Sequence, residues 1–116
     1  MTDEASTPLT NRRRVERMRT LVETTLVCGE AATPSPCRIL DLSPAGAMIE
    51  IDDSLVLLRP LALLLALDGV ACEARVAWRA GDRAGLAFTR RHDLRGEVPR
   101  GIAGLQAIWQ TRNEAG

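Results

Sequence analysis

The amino-acid sequence contains a compact cluster of arginines near its start that could bind an anion. Residues 11–20 hold five arginines, while the fifteen basic and fifteen acidic residues of the whole chain balance. A local excess of positive charge on a neutral protein indicates an anion site rather than an extended nucleic-acid surface. Within the cluster, Arg13 and Arg17 form an R-x-x-x-R pair, and Arg12 and Arg14 flank Arg13. Arginine runs are mostly solvated, so the cluster alone does not define a site.

A second motif follows at residues 41–46, where the sequence reads D-x-S-x-x-G. Asp41 and Ser43 carry short polar side chains that satisfy the backbone of a turn. Gly46 can adopt a left-handed turn conformation or allow a ligand to approach closely. Taken alone, this motif is typical of an ordinary turn.

The two motifs together supply the groups that a guanine nucleotide needs. An arginine fork can donate two hydrogen bonds to O6 and N7 of guanine, and an ionised carboxylate such as Asp41 accepts from its N1 and N2 donors. A second arginine matches the charge and geometry of a phosphate. A diguanylate with two phosphates would use all of these groups at once, so the motifs predict a guanine and phosphate site.

Six short strands separated by turn residues must position these motifs. Alternating apolar and β-branched residues predict strands at about 20–27, 37–41, 47–51, from 61 onward, at 70–79 and at 84–89. A loop at 29–36 and a two-residue Asp68-Gly69 hairpin separate some of them. Strands of this length and spacing favour an antiparallel barrel or sandwich.

Periodicity also predicts which side chains face the core. In residues 70–79, alternation places Val76 and Trp78 on the core face and Arg79 on the opposite face. The period becomes helical near Pro99, which predicts a C-terminal helix at about 98–113. Its apolar face is formed by Ile102, Leu105, Ile108 and Trp109. We expect this helix to cap one open end of the barrel.

Composition limits the remaining function classes. With 116 residues, the chain accommodates one domain, at 11–116, after a polar start at 1–10 that we expect to be disordered.

The three cysteines lack CxxC spacing, which predicts buried small side chains. His92, the one histidine, stands among charged residues and is expected in a solvated turn. No catalytic or metal-binding motif occurs, so we predict no enzyme activity, no metal and no cofactor.

The sequence lacks the features of a targeted or membrane-spanning protein. Residues 1–10 have no apolar signal-peptide core. The apolar run 55–67 is too short to span a bilayer and is interrupted by Arg59 and Pro60. We therefore expect a soluble cytoplasmic protein without membrane insertion.

On these motifs, the chain resembles the PilZ domain family over roughly residues 11–90. Members of that family carry R-x-x-x-R in a loop before the first strand and [DN]-x-S-x-x-G on a neighbouring strand and turn. The segments ARVAWR at 74–79 and GLAF at 85–88 look like the final hairpin of the family. The residues that match the two motifs are Arg13, Arg17, Asp41, Ser43 and Gly46.

The resemblance implies an all-β fold with a C-terminal helix, a six-stranded antiparallel β-barrel that binds the bacterial messenger cyclic di-GMP on its outer surface. It implies that the arginine loop wraps over the ligand while Asp41 and Ser43 hold a guanine from the barrel wall. Arg12 and Arg14 flank the motif as in members that hold two intercalated ligand molecules, so we predict a ligand dimer. Trp78 is either a core residue or a platform for a guanine, as in some members.

Ligand binding is then expected to order the arginine loop and to signal to a separate partner protein that the sequence does not identify. The main alternative is a PilZ-like protein-interaction module that does not bind nucleotide, against which the intact motif residues argue. Another alternative is a basic arm that binds nucleic acid or anionic lipid. That alternative predicts a steep salt dependence and no preference for a cyclic dinucleotide.

Overall fold

The computed structural model describes the backbone of residues 18–115 and the side chains of residues 22–112. The expected disordered start and the predicted site residues Arg12, Arg13, Arg14 and Arg17 lie outside this range. The described elements are β1 (Met18–Cys28), β2 (Thr33–Ser43), β3 (Gly46–Glu50), β4 (Leu61–Leu65), β5 (Val70–Ala80), β6 (Arg83–Asp93) and α1 (Arg100–Ala115).

The six strands close into a barrel in the order β1-β2-β3-β6-β5-β4, with β4 pairing back onto β1. Each neighbouring pair is antiparallel. Most connections join neighbouring strands, but the segment 51–60 leads from β3 to β4, which are not neighbours. The structure therefore confirms the six-stranded antiparallel barrel with a C-terminal helix.

Aliphatic side chains at alternating strand positions fill the barrel interior. The odd-numbered leucines of β4 point into this core, whereas Ala62 and Leu64 point outward. All five residues of β4 are nevertheless buried, because its outer face is covered as well. The predicted burial of the cysteines is confirmed, since the core contains the free thiols of Cys28, Cys37 and Cys72.

Helix α1 lies against the outer wall of the barrel. Ile102 and Leu105 are buried against a second apolar cluster that includes Leu64, and the Trp109 indole Nε1–H donates to the carbonyl of Ala66 at 2.9 Å. The predicted apolar face of the helix is thus correct. The expectation that the helix caps an open end is wrong, because the outer faces of β1, β4 and β5 are apolar and the helix covers them.

One end of the barrel is covered by the segment 51–60 instead. Its Leu55 and Leu57 pack against the barrel core, while Val56 and Leu58 are exposed. The segment begins with a turn in which the Asp52 carboxylate accepts hydrogen bonds from the Ser54 N–H at 2.9 Å and the Ser54 hydroxyl at 2.7 Å. The backbone hydrogen bond, followed by the side-chain one, lowers the pKa of Asp52.

Strand β2 begins at Thr33, four residues earlier than predicted. Pro34 and Pro36 indicated a loop, yet residues 33–36 pair with residues 25–28 of β1. This stretch has a strand on one side only, because β3 joins β2 from Arg38 onward. Proline is tolerated there, since its missing N–H removes no hydrogen bond to a second neighbour.

The hairpin between β4 and β5 is longer than the predicted two-residue turn. Leu65 pairs with Val70, so the connection comprises residues 66–69. A tight hairpin of the expected type needs positive φ at both central residues. Here Gly69 has a φ of 66° but Asp68 is not in the positive region, and the chain instead forms two successive turns closed by Asp68 N–H to Leu65 O and Gly69 N–H to Ala66 O.

His92 lies in strand β6, so its expected position in a solvated turn is wrong. The strand continues to Asp93, beyond the predicted end at residue 89. The His92 side chain is 11% exposed, and its Nε2 contacts Oε2 of Glu73 on β5. This pair lies on the same outer side as the buried Ala71, which is opposite His92 in the sheet.

Candidate functional site

An open pocket of about 380 Å³ lies on the outer wall where β2, β3, β6 and β5 are adjacent. Residues 41–43, 45–48, 77–78 and 85–87 line it, and we call it the outer-wall pocket. Four neighbouring strands at a spacing of about 4.8 Å give it a width of roughly 14 Å. The pocket brings together four of the predicted site residues, namely Asp41, Ser43, Gly46 and Trp78.

A β-bulge turns Asp41 toward this pocket. Ile39 is opposite Ile49 in the register between β2 and β3, but the next pair is Asp41 with Met48, so Leu40 is an extra residue. Ile39 and Ile49 are both buried in the core. The pair after them therefore faces outward, and Asp41 lies half-buried on the outer wall.

Ser43 ends β2 on the same outer face and stabilises the turn that follows. The Ala45 N–H donates to Ser43 Oγ at 3.3 Å, and the Ser43 hydroxyl donates to the carbonyl of Gly46 at 3.4 Å. The hydroxyl is half-buried and lines the outer-wall pocket. It therefore both closes the turn and remains within reach of a ligand beside Asp41.

Gly46 is required by strand packing rather than by a left-handed turn. It is not among the glycines with positive φ. A Cβ atom at this position would collide with the carbonyl oxygen of Leu86 in the neighbouring strand β6. The close approach that the sequence suggested is thus made by the backbone of β6, which pairs with Gly46 through Ala87.

Trp78 lies on the outer wall, so the core position, one of the two that the sequence left open, is wrong. A second bulge occurs in β5, where Val76 is opposite Leu86 but Trp78 is opposite Gly85. The extra residue, Ala77, reverses the side on which the following residues point. The Trp78 side chain is consequently 44% exposed and lines the outer-wall pocket.

Gly85 makes room for the indole of Trp78. A Cβ atom on Gly85 would lie 2.6 Å from both Cδ1 and Cε2 of the indole, well inside van der Waals contact. The ring therefore lies directly on the backbone of β6. Gly85, Ala77 and Met48 line the pocket and were not identified from the sequence. Ala77 precedes Trp78 in the sequence and Gly85 is opposite it in the hairpin, and these two small residues are a signal that could have indicated a ring packed flat on the sheet.

The described start of the chain enters the sheet beside Asp41. Met18 is opposite Leu42 and Arg19 is opposite Asp41 in the register between β1 and β2. Arg17 is joined directly to Met18 in the sequence. The segment that directly follows the arginine motif in the sequence thus lies beside the second motif, whereas the predicted roles of Arg12, Arg13, Arg14 and Arg17 concern residues that the structure does not describe.

The lining of the outer-wall pocket is mostly neutral. Among the described residues that form it, Asp41 is the one ionisable side chain. The side chains near Trp78 are small and apolar, and the Asp41 end is polar. A planar ring with hydrogen-bond donors on one edge fits this arrangement, but an anionic group would need cations from outside the lining.

The described part of the chain offers no metal site. Residues 18–115 contain no group of three or more histidine, cysteine, aspartate or glutamate side chains that could hold a metal ion. Within the same range, no helix has the length and apolar character needed to cross a membrane.

Comparison with known proteins assigns the fold to a family. A sequence model of the PilZ domain matches residues 11–98, which includes both motifs and all six strands. No curated protein matches the chain.

Proposed function

The chain belongs to the PilZ domain family, and from this premise we propose that it is a receptor for cyclic di-GMP that binds the nucleotide at the outer-wall pocket. The observation that carries the proposal is the placement of Asp41, Ser43 and Trp78 on one outer face, with the chain that follows Arg17 entering the sheet beside them. The family is known for binding this nucleotide, and its members are binding modules rather than enzymes.

Each group has a defined role in the proposed complex. The Asp41 carboxylate accepts from N1 and N2 of a guanine, and the Ser43 hydroxyl contacts the same base. The indole of Trp78 offers a face on which a guanine stacks. Arg13 and Arg17 contact guanine and phosphate, because the described residues that line the pocket include no cation.

Charge balance supports two ligand molecules in the site. Cyclic di-GMP carries two phosphodiester charges, so a pair of intercalated molecules carries four. Residues 11–20 carry five arginines and one acid, Glu16, which is an excess of four positive charges in the sequence that leads into β1. Neutralisation of the cluster by the ligand would allow the arginine segment to fold over it and to create the surface that a separate partner protein recognises in the bacterial cytoplasm.

Calorimetric titration of cyclic di-GMP into the full chain tests the proposal. We expect saturation at two nucleotides per chain, and a loss of affinity of at least about tenfold for Arg17→Ala and for Asp41→Asn, because each removes a charge-assisted hydrogen bond. Arg83→Ala is the matched control, since Arg83 is exposed at the start of β6 and does not line the pocket.

The same titration separates the competing functions. Saturation at one nucleotide per chain would reject the ligand pair but retain the receptor. No heat of binding for the wild type would reject the receptor and favour a PilZ module that acts only through protein contacts. Equal affinity for cyclic di-GMP and an unrelated polyanion, with a steep salt dependence, would favour a basic arm.

A further inference from the structure

The side chain of Arg79 turns toward the end of the barrel and bonds to backbone oxygens. Its Nη1 donates to Leu55 O at 2.8 Å and its Nε donates to Gly81 O at 2.9 Å. Its Nη2 lies 3.3 Å from the carbonyl oxygens of both Asp52 and Asp53. One guanidinium thus joins the end of β5 to the segment 51–60 that covers the barrel.

The inward direction of Arg79 depends on the bulge in β5. Arg79 is opposite Ala84, which is fully buried in the core. Regular alternation after Val76 would instead direct Trp78 inward and Arg79 to solvent. The bulge at Ala77 exchanges these two directions, so Arg79 points inward in the same register that puts Trp78 on the outer wall.

The two registers differ in what they bury. In a regular strand the large apolar indole would leave water, which is a favourable change. The bulged register leaves Trp78 partly exposed, so another interaction must favour it. Arg79 provides that interaction, because the planar fork of guanidinium donors reaches four carbonyls that a solvent-facing side chain could not reach.

We propose that Arg79 is a positioning residue for the outer-wall pocket: its hydrogen bonds to the segment 51–60 hold β5 in the bulged register that presents the Trp78 indole to the ligand. Arg79 itself does not face the ligand in this arrangement, and it acts through Trp78. The consequence for nucleotide affinity rests on the proposed function, whereas the consequence for the indole does not.

Two variants test the positioning role. Arg79→Met keeps the length of the side chain and removes all donors, and Arg79→Lys keeps the charge but replaces the fork by a single ammonium group. Arg83→Met is the control, because it makes the same substitution on an exposed arginine of the same hairpin. Each protein is labelled with ¹⁵N, and the two indole N–H resonances are recorded, with Trp109→Phe used to assign them.

The resonance of Trp109 reports whether the barrel and helix remain folded, since its N–H is bonded to Ala66 O. We expect Arg79→Met to shift or broaden the Trp78 resonance while that of Trp109 stays in place. Affinity for cyclic di-GMP should fall about tenfold through the loss of stacking. Arg79→Lys should give a smaller change in both readouts, and Arg83→Met none.

An unchanged Trp78 resonance in Arg79→Met would overturn the proposal. If that variant does not fold, Arg79→Lys decides: a moved Trp78 resonance beside an unmoved Trp109 resonance supports the positioning role, and two unmoved resonances reject it. A wild type that binds no cyclic di-GMP would reject the proposed function alone, because the resonances test the position of the indole without ligand.

Discussion

Gly85 is the residue on which the Trp78 side of the pocket depends most directly, because the indole occupies the space where a side chain would otherwise begin. Gly46 has a comparable role at the Asp41 end, where β6 leaves no room for a Cβ atom. The two glycines differ in what they contact. A methyl group on Gly85 meets a side chain that can rotate away, whereas a methyl group on Gly46 meets the backbone.

Substitution of Gly85 by alanine should weaken ligand binding without unfolding the protein. The new methyl group displaces the indole from the sheet, and loss of one stacked base costs about 1 to 3 kcal/mol. We expect calorimetry to give a correspondingly lower affinity for cyclic di-GMP, with the thermal midpoint nearly unchanged. Gly96→Ala is the control, since a Cβ atom there meets nothing within 4 Å. Equal affinity of both variants would show that the indole does not contact the ligand.

The buried thiol of Cys37 is expected to make the protein less stable at alkaline pH. Burial raises the pKa of this thiol to about 12 from 9.0, and burial also raises the pKa of Cys72, with nearby Arg91 opposing the change. The sequence contains neither lysine nor tyrosine, so few other groups titrate in this range. The folded state disfavours the thiolate. The free energy of unfolding therefore keeps its full value from this thiol below pH 9, and it falls as the pH rises toward 12.

Urea unfolding at several pH values measures this effect. Between pH 9 and pH 11 we expect the free energy of unfolding to fall with a slope of up to about 1.4 kcal/mol per pH unit from Cys37, and Cys72 contributes in the same direction. Cys37→Ala should reduce the slope by the contribution of that thiol. A slope that is the same in Cys37→Ala and in the wild type would contradict the assignment.

At the scale of the elements, the two bulges explain where sequence patterns succeeded and where they did not. The strands themselves follow from alternation and turn residues, and so does the apolar face of α1. The orientation of Trp78 does not, because a single extra residue reverses the alternation on which the core assignment rested. The location of α1 was also missed, since periodicity identifies an apolar face but not the surface that it covers.

Helix α1 should contribute substantially to stability through Leu105, which is fully buried against the outer wall. Leu105→Ala removes most of this side chain and is expected to lower the free energy of unfolding by about 2 to 5 kcal/mol. Gln110→Ala, at an exposed position of the same helix, should change it by less than about 0.5 kcal/mol. Urea unfolding provides the measurement, with Ile102→Val as a milder variant if Leu105→Ala does not fold.

An equal effect of Leu105→Ala and Gln110→Ala would contradict the packing of α1 on β1, β4 and β5.

Nucleotide affinity provides a second check. The helix contacts β1, β4 and β5, whereas the outer-wall pocket is formed by β2, β3, β6 and one end of β5. We therefore expect the folded Ile102→Val variant to bind cyclic di-GMP like the wild type.

At the scale of the whole molecule, closure of the barrel was the part least accessible from local patterns. Strand chemistry alone left a barrel and a sandwich open, and the family resemblance favoured the barrel. Closure depends on the pairing of β1 with β4, for example Leu26 with Leu63, and these residues are far apart in the sequence. The position of Asp41 beside Arg19 follows from a simpler feature, the antiparallel return of β2 along β1.

The circular arrangement of strands also restricts how another protein can recognise this one. Between residues 18 and 115, every strand has a neighbour on each of its two sides, so no complete strand edge is left to template an added strand from a second chain. Stretches such as residues 33–36 of β2 still have a strand on one side only, so a binding protein is expected to recognise mainly side chains, connecting segments or the bound nucleotide itself. The same closure protects the domain from the edge-to-edge association to which open sheets are prone.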